Sequence, residues 1–265
     1  MKKQVANAET SGFEWKGLYR AGGAAALIAG VLFRRNLGVE ISLFSAQKQP
    51  AIVADWFELL QTNRLLGLAY LHIFDILNYI LLGLMFLALY AVLRREGPGR
   101  MAVATGLGFL GITVYLASNT ALSMLALSDQ YAAATSEAQR TSLLAAGQAL
   151  LALNRFSSPG AHPGAGGYLS LLLVASASLL VSVVMLRGAV FNRATAVVGL
   201  LASALDLAYC LAFAFIPSLN GETLAVTFIP AAGLFWMVWH ILVGWRLVRL
   251  GRMAGERVGA RALVR

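Results

Sequence analysis

The side chains best suited to chemistry interrupt long apolar segments, where an ionisable group is costly to bury. His72, Asp75 and Tyr79 follow one another at spacings of three and four residues. At about 100° per residue, this spacing places all three within about 60° on one face of a helix. Asp206 and Tyr209, three residues apart, share a face in a later apolar segment. Polar side chains in such segments are typical of pathways for solutes, ions or protons.

Asn119 lies on a polar stripe of a third apolar segment, together with Tyr115. Counting about 1.5 Å per residue puts Asp75 and Asp206 near the middle of their segments and His72 and Asn119 nearer one end. The sequence therefore predicts a polar pocket that opens on that side. Its predicted ligand-binding lining is His72, Asp75, Tyr79, Asn119, Asp206 and Tyr209. A competing interpretation makes the aspartates structural groups that hold neighbouring helices together by hydrogen bonds.

No catalytic, metal or cofactor signature accompanies these residues. The chain has three histidines and one cysteine, too few for a zinc cluster or a disulfide framework. His162 lies in a loop rich in Pro and Gly, and His240 stands among tryptophans, where we expect an interfacial anchor. Phosphate-binding, zinc-protease and serine-hydrolase motifs are missing from the sequence. We therefore predict no catalytic residue, no metal and no cofactor, and we favour a protein that is not an enzyme.

Helices must position these residues, because the composition excludes a soluble domain. Hydrophobic residues make up 59% of the chain and charged residues 12%, whereas soluble domains average ~45–50% and ~25%. A bilayer core about 30 Å thick is crossed by about 20 apolar residues in a helix. Six such runs predict an all-α, polytopic transmembrane helical bundle that forms one integral membrane domain over residues 1–265. The predicted spans are residues 17–33, 65–93, 101–127, 167–187, 194–216 and 224–248.

The distribution of positive charge predicts the topology. Most of the 21 lysines and arginines lie in the N-terminal segment, two short connections and the basic tail 249–265. Positive residues are retained on the cytoplasmic side of a membrane, so we expect both termini to be cytoplasmic. The first run is expected to span without cleavage, because Arg34-Arg35 follows it instead of small residues.

Two longer connections, 34–64 and 128–166, fall on the outer side and are predicted to contain short amphipathic helices. In the first, apolar side chains are expected to lie on the membrane surface while charged ones face water. The apolar set is Trp56, Phe57, Leu59 and Leu60, and the charged set is Asp55, Glu58 and Arg64. In the second, Ser136 followed by Gln139 is typical of a helix start, and the helix is expected to reach Leu153.

A weak internal repeat relates two of the predicted hairpins. A shift of 93 residues superposes Leu93-Arg94 on Leu186-Arg187 and Gly106-Leu107 on Gly199-Leu200. Spans two and three would then recur as spans four and five in the same orientation. Parallel repeats of this kind are common in transporters.

The net charge of +9 indicates a lipid partner and no nucleic acid. The positive charges concentrate beside helix ends, where each Lys or Arg gains about 1 kcal/mol from anionic headgroups. No basic domain rich in aromatic residues is present to read bases. The expected partners are the bilayer, with anionic headgroups at the basic cytoplasmic ends, and a second copy of the chain or another membrane protein.

Several segments of the sequence together resemble a known family. They include Asn63-Arg64-Leu65-Leu66-Gly67-Leu68, Phe74-Asp75-Ile76-Leu77-Asn78-Tyr79, Ser128-Asp129-Gln130-Tyr131 and Asp206-Leu207-Ala208-Tyr209. Over most of residues 15–250 the chain resembles the prokaryotic membrane proteins grouped as domain of unknown function 4386. The resemblance implies a multi-pass helical protein of a prokaryotic plasma membrane, and it brings no functional residues with it.

Three functions remain open at this point. The first is binding or transport of a small polar ligand or ion through an outward-facing intramembrane pocket. The second is a structural, sensory or assembly role without catalysis, carried out by the outer loops. The third is a metal-assisted intramembrane hydrolase, which would need His72 and Asp75 among its metal ligands.

Overall fold

The computed structural model describes residues 15–32, 50–153, 164–216 and 221–262, and the regular structure in these ranges is entirely α-helical. The first helix, α1, covers residues 15–32. Two groups of helices follow in chain order. The first group is α2 (Val53–Thr62), α3 (Arg64–Tyr70), α4 (Ile73–Leu93), α5 (Pro98–Ser118) and α6 (Ala121–Ala133). The second group is α7 (Glu137–Leu153), α8 (Ala165–Arg187), α9 (Arg193–Phe215) and α10 (Gly221–Ala262).

Five helical stretches in the described part of the chain are long and apolar enough to cross a membrane. They are Ile73–Leu93, Pro98–Ala133, Ala165–Arg187, Arg193–Phe215 and Pro230–Met253. The prediction of an all-helical fold is therefore confirmed for the described residues, and the five stretches fit a membrane protein. The helix α1, which corresponds to the first predicted span, is shorter and carries Lys16 and Arg20, and it is not one of the five.

Two of the predicted spans are interrupted, which corrects the continuous helices expected over 65–93 and 101–127. One break separates α3 from α4 at Leu71 and His72. The other separates α5 from α6 at Asn119 and Thr120. As a result, Asp75 lies in the first turn of α4 instead of near the middle of a long span.

The long helices pack around one apolar core as a bundle in which neighbours along the chain are neighbours in space. The helix α5 packs against α4 and α8, and α9 packs against α8 and α10. The buried side chains of the bundle core include Leu82, Phe86, Val181, Trp239 and Leu247. Many apolar side chains on the outside of the same helices are exposed, as expected for a surface that faces lipid. They include Ile80, Leu84, Leu110, Leu201 and Ile241.

The helix α1 closes the bundle by packing between α4 and α10. It runs antiparallel to α4, because Trp15 lies against Arg94 while Gly22 lies against Ala88. It also runs antiparallel to α10, where the contact is between two backbones. A Cβ on Gly23 would lie 3.0 Å from the Gly244 carbonyl oxygen, and a Cβ on Gly244 would lie 2.8 Å from the Gly23 carbonyl oxygen. Glycine at both positions is what allows the two helices to approach so closely.

A second apolar core lies in a group of shorter helices, which we call the cap: α2, α3, α6 and α7. Trp56, Phe57 and Leu60 are buried in it, together with Met124 and Leu151. This corrects the expectation that the apolar face of 51–63 lies on the membrane surface, because that face packs against other helices of the cap. The charged set of α2 and α3, Asp55, Glu58 and Arg64, is exposed as predicted.

Polar contacts add to the apolar packing of the cap. Ser128 donates a hydrogen bond to the carbonyl oxygen of Phe57 at 3.0 Å, and Gln61 donates to Ser128 at 2.9 Å. Arg64 forms an ion pair with Asp129 at 2.8 Å.

Helix α7 begins where the sequence indicates a helix start. The backbone N–H of Gln139 donates to the Ser136 hydroxyl at 3.2 Å, which is the capping bond expected there. The predicted helix of the first outer loop corresponds to α2. Residues 34–49 and the loop that contains His162 lie outside the described residues.

The two hairpins related by the weak repeat have similar bounds in the structure. Shifted by 93 residues, α4 would cover residues 166–186, and α8 covers 165–187. The turns of the two hairpins also touch, because the Glu96 carboxylate accepts a hydrogen bond from the backbone N–H of Ala189 at 3.0 Å. The connections α4–α5 and α8–α9 therefore lie at the same end of the bundle, opposite the cap.

Candidate functional site

The two helix breaks meet at the boundary between the cap and the bundle. His72 adopts left-handed backbone angles, with φ 59° and ψ 39°, a conformation that residues other than glycine rarely adopt. Asn119 has extended backbone angles between α5 and α6. Its side-chain amide donates to the His72 carbonyl oxygen at 3.3 Å and accepts from the Ala121 N–H at 3.1 Å. One side chain thus satisfies backbone groups at both breaks.

Asp75 lies beside these breaks and is the ionisable centre of the site. The Tyr115 hydroxyl donates to Asp75 Oδ2 at 3.2 Å, and His72 Nδ1 lies 3.4 Å from the same oxygen. The side chain of Asp75 is 25% exposed and that of His72 is 13% exposed. We call His72, Asp75, Tyr115 and Asn119 the helix-break site. Its carboxylate is held by polar neighbours yet remains partly accessible from outside.

Tyr79 extends the polar contacts from this site into the bundle. Its ring stacks on that of Tyr115, with centroids 3.8 Å apart and planes 3° from parallel. Its hydroxyl lies 3.4 Å from Ser170 Oγ, and Ser170 donates to the Gly111 carbonyl oxygen at 2.8 Å. Polar groups of α4, α5 and α8 are therefore in contact one turn below Asp75.

Asp206 occupies a different place, inside the bundle between α9 and α10. It is only 7% exposed, and the Trp236 indole N–H donates to its Oδ2 at 2.6 Å. This bond connects two helices, as the competing structural interpretation of the aspartates requires. Tyr79 is near enough to both Asp75 and Asp206 to interact electrostatically with their carboxyl groups.

Of the six predicted lining residues, the structure brings four together and leaves two apart. His72, Asp75, Tyr79 and Asn119 are joined by the contacts above. Asp206 is instead hydrogen-bonded to Trp236, and Tyr209 stacks on Phe213 with ring centroids 6.2 Å apart.

His240 is not the interfacial anchor expected from the sequence. It is 3% exposed, and its Nδ1 lies 2.7 Å from the Trp236 carbonyl oxygen. Its ring also packs against those of Trp236 and Trp239. The exposed tryptophan of this region is Trp245, at 70%. His240 therefore belongs to the bundle core.

Three contributors to these contacts were absent from the predicted lining. Tyr115 was detectable, because it lies four residues before Asn119 on the same helical stripe. Ser170 gives no such signal, since serines are frequent throughout α8. Trp236 is one of the tryptophans around His240 in the sequence, and only the packing of α10 on α9 reveals it as the partner of Asp206.

The described residues were compared with the ligand sets that metal ions need. Among the described residues, no group of three His, Cys, Asp or Glu side chains could hold a metal ion. His72 and Asp75 lie 3.4 Å apart at the helix-break site, where Tyr115 and Asn119 also make polar contacts.

Comparison with known proteins gives a family and no characterised relative. None of the curated proteins and none of the solved structures matches the chain significantly. A family model described as Domain of unknown function (DUF4386) matches residues 21–245, which include α1, the cap, the helix-break site and most of α10. The chain belongs to this family of domains of unknown function.

Proposed function

We propose that this membrane protein binds a small cation, or a polar solute that carries a positive charge, at the helix-break site. The observation that carries the proposal is the meeting of two helix breaks beside a partly exposed carboxylate. Non-helical backbone at membrane depth is tolerated where protein or water satisfies it, and broken helices are typical of solute and ion sites. Here Asn119 satisfies both breaks, next to Asp75.

The charge of the ligand follows from the groups at the site. Asp75 is the acidic group of the site, and its Oδ2 accepts a hydrogen bond from the Tyr115 hydroxyl and lies 3.4 Å from His72 Nδ1. A cation approaching the exposed side of Asp75 would gain a charge-assisted hydrogen bond or direct ion contact.

A route inward, and hence transport, is the second part of this proposal. Tyr79 extends polar contacts from the site into the bundle, where Asp206 is buried, so a bound cation would move inward from Asp75 towards Asp206. The Asp206–Trp236 bond would have to open for passage. Binding at Asp75 is the part that is tested first, because it needs no rearrangement of the bundle.

The proposed setting is a prokaryotic plasma membrane crossed six times, with α1 as the first span. The antiparallel packing of α1 on both α4 and α10 supports a crossing helix. The turns opposite the cap carry Arg94, Arg100, Arg187 and Arg193, which favours that end as the cytoplasmic side with anionic headgroups as partners. The cap and the helix-break site would then face outward. Association with a second copy or another membrane protein stays part of the proposal.

The test is a ligand-dependent thermal melt of the detergent-purified protein. Sodium, potassium and methylammonium chlorides are each compared with N-methylglucamine chloride at constant ionic strength. We expect a saturable rise in Tm with at least one of the three cations, of roughly 5–10 °C at a hundredfold excess over Kd. Asp75→Asn keeps the size of the side chain and removes the charge, so it should abolish the rise.

Asp55→Asn is the matched control, because Asp55 is an exposed carboxylate on the cap that does not touch the site. It should leave the cation-dependent rise unchanged. A melt that responds to none of the three cations would contradict the proposal. A rise that persists in Asp75→Asn would contradict it as well, by placing the binding elsewhere.

A further inference from the structure

A second feature, independent of the helix-break site, lies where α8, α9 and α10 meet near the turn end of the bundle. Ser182 of α8 and Trp239 of α10 are both completely buried. Within the described part of the chain, neither the Ser182 hydroxyl nor the Trp239 indole N–H has a hydrogen-bond partner. Buried polar groups without partners are rare in native structures.

Both orphaned groups lie over the same glycine of α9. A Cβ on Gly199 would overlap Ser182 Oγ and Trp239 Nε1, so these two atoms are within about 5 Å of each other. Two donors bound at ~2.9 Å to one acceptor with a tetrahedral angle between them are about 4.7 Å apart. The upper limit on the separation of the two atoms, set by their distances to the Gly199 Cβ position, is thus close to the span of a single bridging atom.

The chemistry of the two groups defines what that atom is. An indole N–H donates and cannot accept, and a serine hydroxyl both donates and accepts. The shared partner must therefore accept from tryptophan, and a second donor is available from serine. Two other polar groups nearby have partners, because Ser203 donates to the Gly199 carbonyl oxygen at 2.8 Å and Trp236 donates to Asp206. The buried Ser178 hydroxyl, one turn earlier on α8, has no partner among the described residues.

We propose that Ser182 Oγ and Trp239 Nε1 bind a small hydrogen-bond acceptor over Gly199, either a water molecule or a halide ion. A water molecule and a halide ion share the required chemistry, because each has a single heavy atom and can accept two hydrogen bonds. Glycine at position 199 leaves the site free of a side chain. The occupant completes the hydrogen bonding of three packed helices.

The direct test is a crystal structure of the full chain grown in sodium bromide, with anomalous diffraction recorded at the bromine edge. An anomalous peak between Ser182 Oγ and Trp239 Nε1 identifies a halide site. An ordinary density peak within hydrogen-bond distance of both atoms identifies a water site. Either result supports the proposal. A direct bond between the two side chains with no density between them overturns it.

Variants test the same site in solution. Gly199→Ala places a methyl group where the two polar groups converge, so its Tm should fall by several degrees. Gly106→Ala is the matched control, because Gly106 is also inside a long helix and a Cβ there meets nothing within 4 Å. Its Tm should stay the same or rise, since alanine favours helix. Equal Tm values for the two variants would overturn the proposal.

Ser182→Ala separates the two occupants without adding bulk. For a halide, the Tm of the native chain should rise from sodium gluconate to sodium bromide at equal sodium concentration, and Ser182→Ala should lose that rise. For water, the Tm should not depend on the anion, and Ser182→Ala should be less stable than the native chain in both salts. A Ser182→Ala chain that melts like the native chain in both salts would overturn the proposal.

Discussion

At the scale of single residues, the spacing of polar side chains predicted which groups meet but not how the backbone carries them. The face shared by His72, Asp75 and Tyr79 follows from helical geometry, and all three do lie in one connected set. The left-handed backbone at His72 could not be predicted, because histidine has no intrinsic preference that forces it. It arises from the bonds that Asn119 makes at both breaks.

The backbone of His72 gives a prediction that separates conformation from side-chain contacts. In His72→Ala and His72→Gly the ring is lost equally, but only glycine adopts φ 59° without steric cost. His72→Gly should therefore be more stable than His72→Ala by about 1 kcal/mol. Chemical or thermal denaturation of the two purified variants measures the difference. If alanine is the more stable replacement, the break at His72 is helical in solution.

At the scale of elements, the apolar composition predicted which segments are helical. It did not predict the residues at which two of these helices end. The breaks at Leu71–His72 and Asn119–Thr120 contain neither proline nor glycine, so the usual signals for ending a helix are missing. The positions of the two breaks depend instead on tertiary contacts, because α3 and α6 change direction and pack into the core of the cap. The amphipathic pattern of α2 was equally compatible with a membrane surface and with a protein core.

The cap and the bundle have separate apolar cores, which predicts that one can be loosened without the other. Phe57 is 1% exposed in the core of the cap, and Phe57→Ala should cost the cap about 3–5 kcal/mol. Hydrogen exchange followed by mass spectrometry should show faster exchange in α2, α6 and α7. The bundle helices α8 and α9 should keep their protection.

Leu65→Ala is the control for this experiment, because Leu65 lies in the same cap but is 68% exposed. It should leave exchange in the cap almost unchanged. Equal loss of protection in the cap and in α8 and α9 of Phe57→Ala would mean that the two cores unfold as one unit.

At the scale of the whole molecule, charge and hydropathy together predicted a helical membrane protein, while the closure of the bundle depends on contacts that hydropathy does not report. The helix α1, which corresponds to the first predicted span, carries Lys16 and Arg20 and is not one of the five stretches apolar enough to cross a membrane. What identifies its place is a set of small residues, Gly22, Gly23 and Gly30, that fit against α4 and α10. These glycines can be recognised as a helix-packing surface only when the partner helices are known.

The proposed topology is tested by single cysteines in a chain whose buried Cys210 is replaced by alanine. Glu137→Cys in the cap should react with a membrane-impermeant maleimide on intact cells. Arg100→Cys at the opposite end, and Gly17→Cys at the start of α1, should react only after the cells are opened. All three positions are exposed, so failure to react reports the membrane and not burial. Labelling of Gly17→Cys on intact cells would show that α1 does not cross.

The backbone contact between Gly23 and Gly244 joins the first helix to the last, about 220 residues further along the chain. During synthesis at roughly 5–20 residues per second, α1 is made roughly 10–45 s before this partner exists. Once α4 has been made, the glycine face of α1 has α4 on one side and an unfilled position on the other until α10 follows. The ring of helices is completed only when α10 is inserted, so a truncated or stalled chain leaves α1 with an unmatched surface. The Gly23–Gly244 contact therefore forms only in complete chains, and incomplete chains in the membrane lack it.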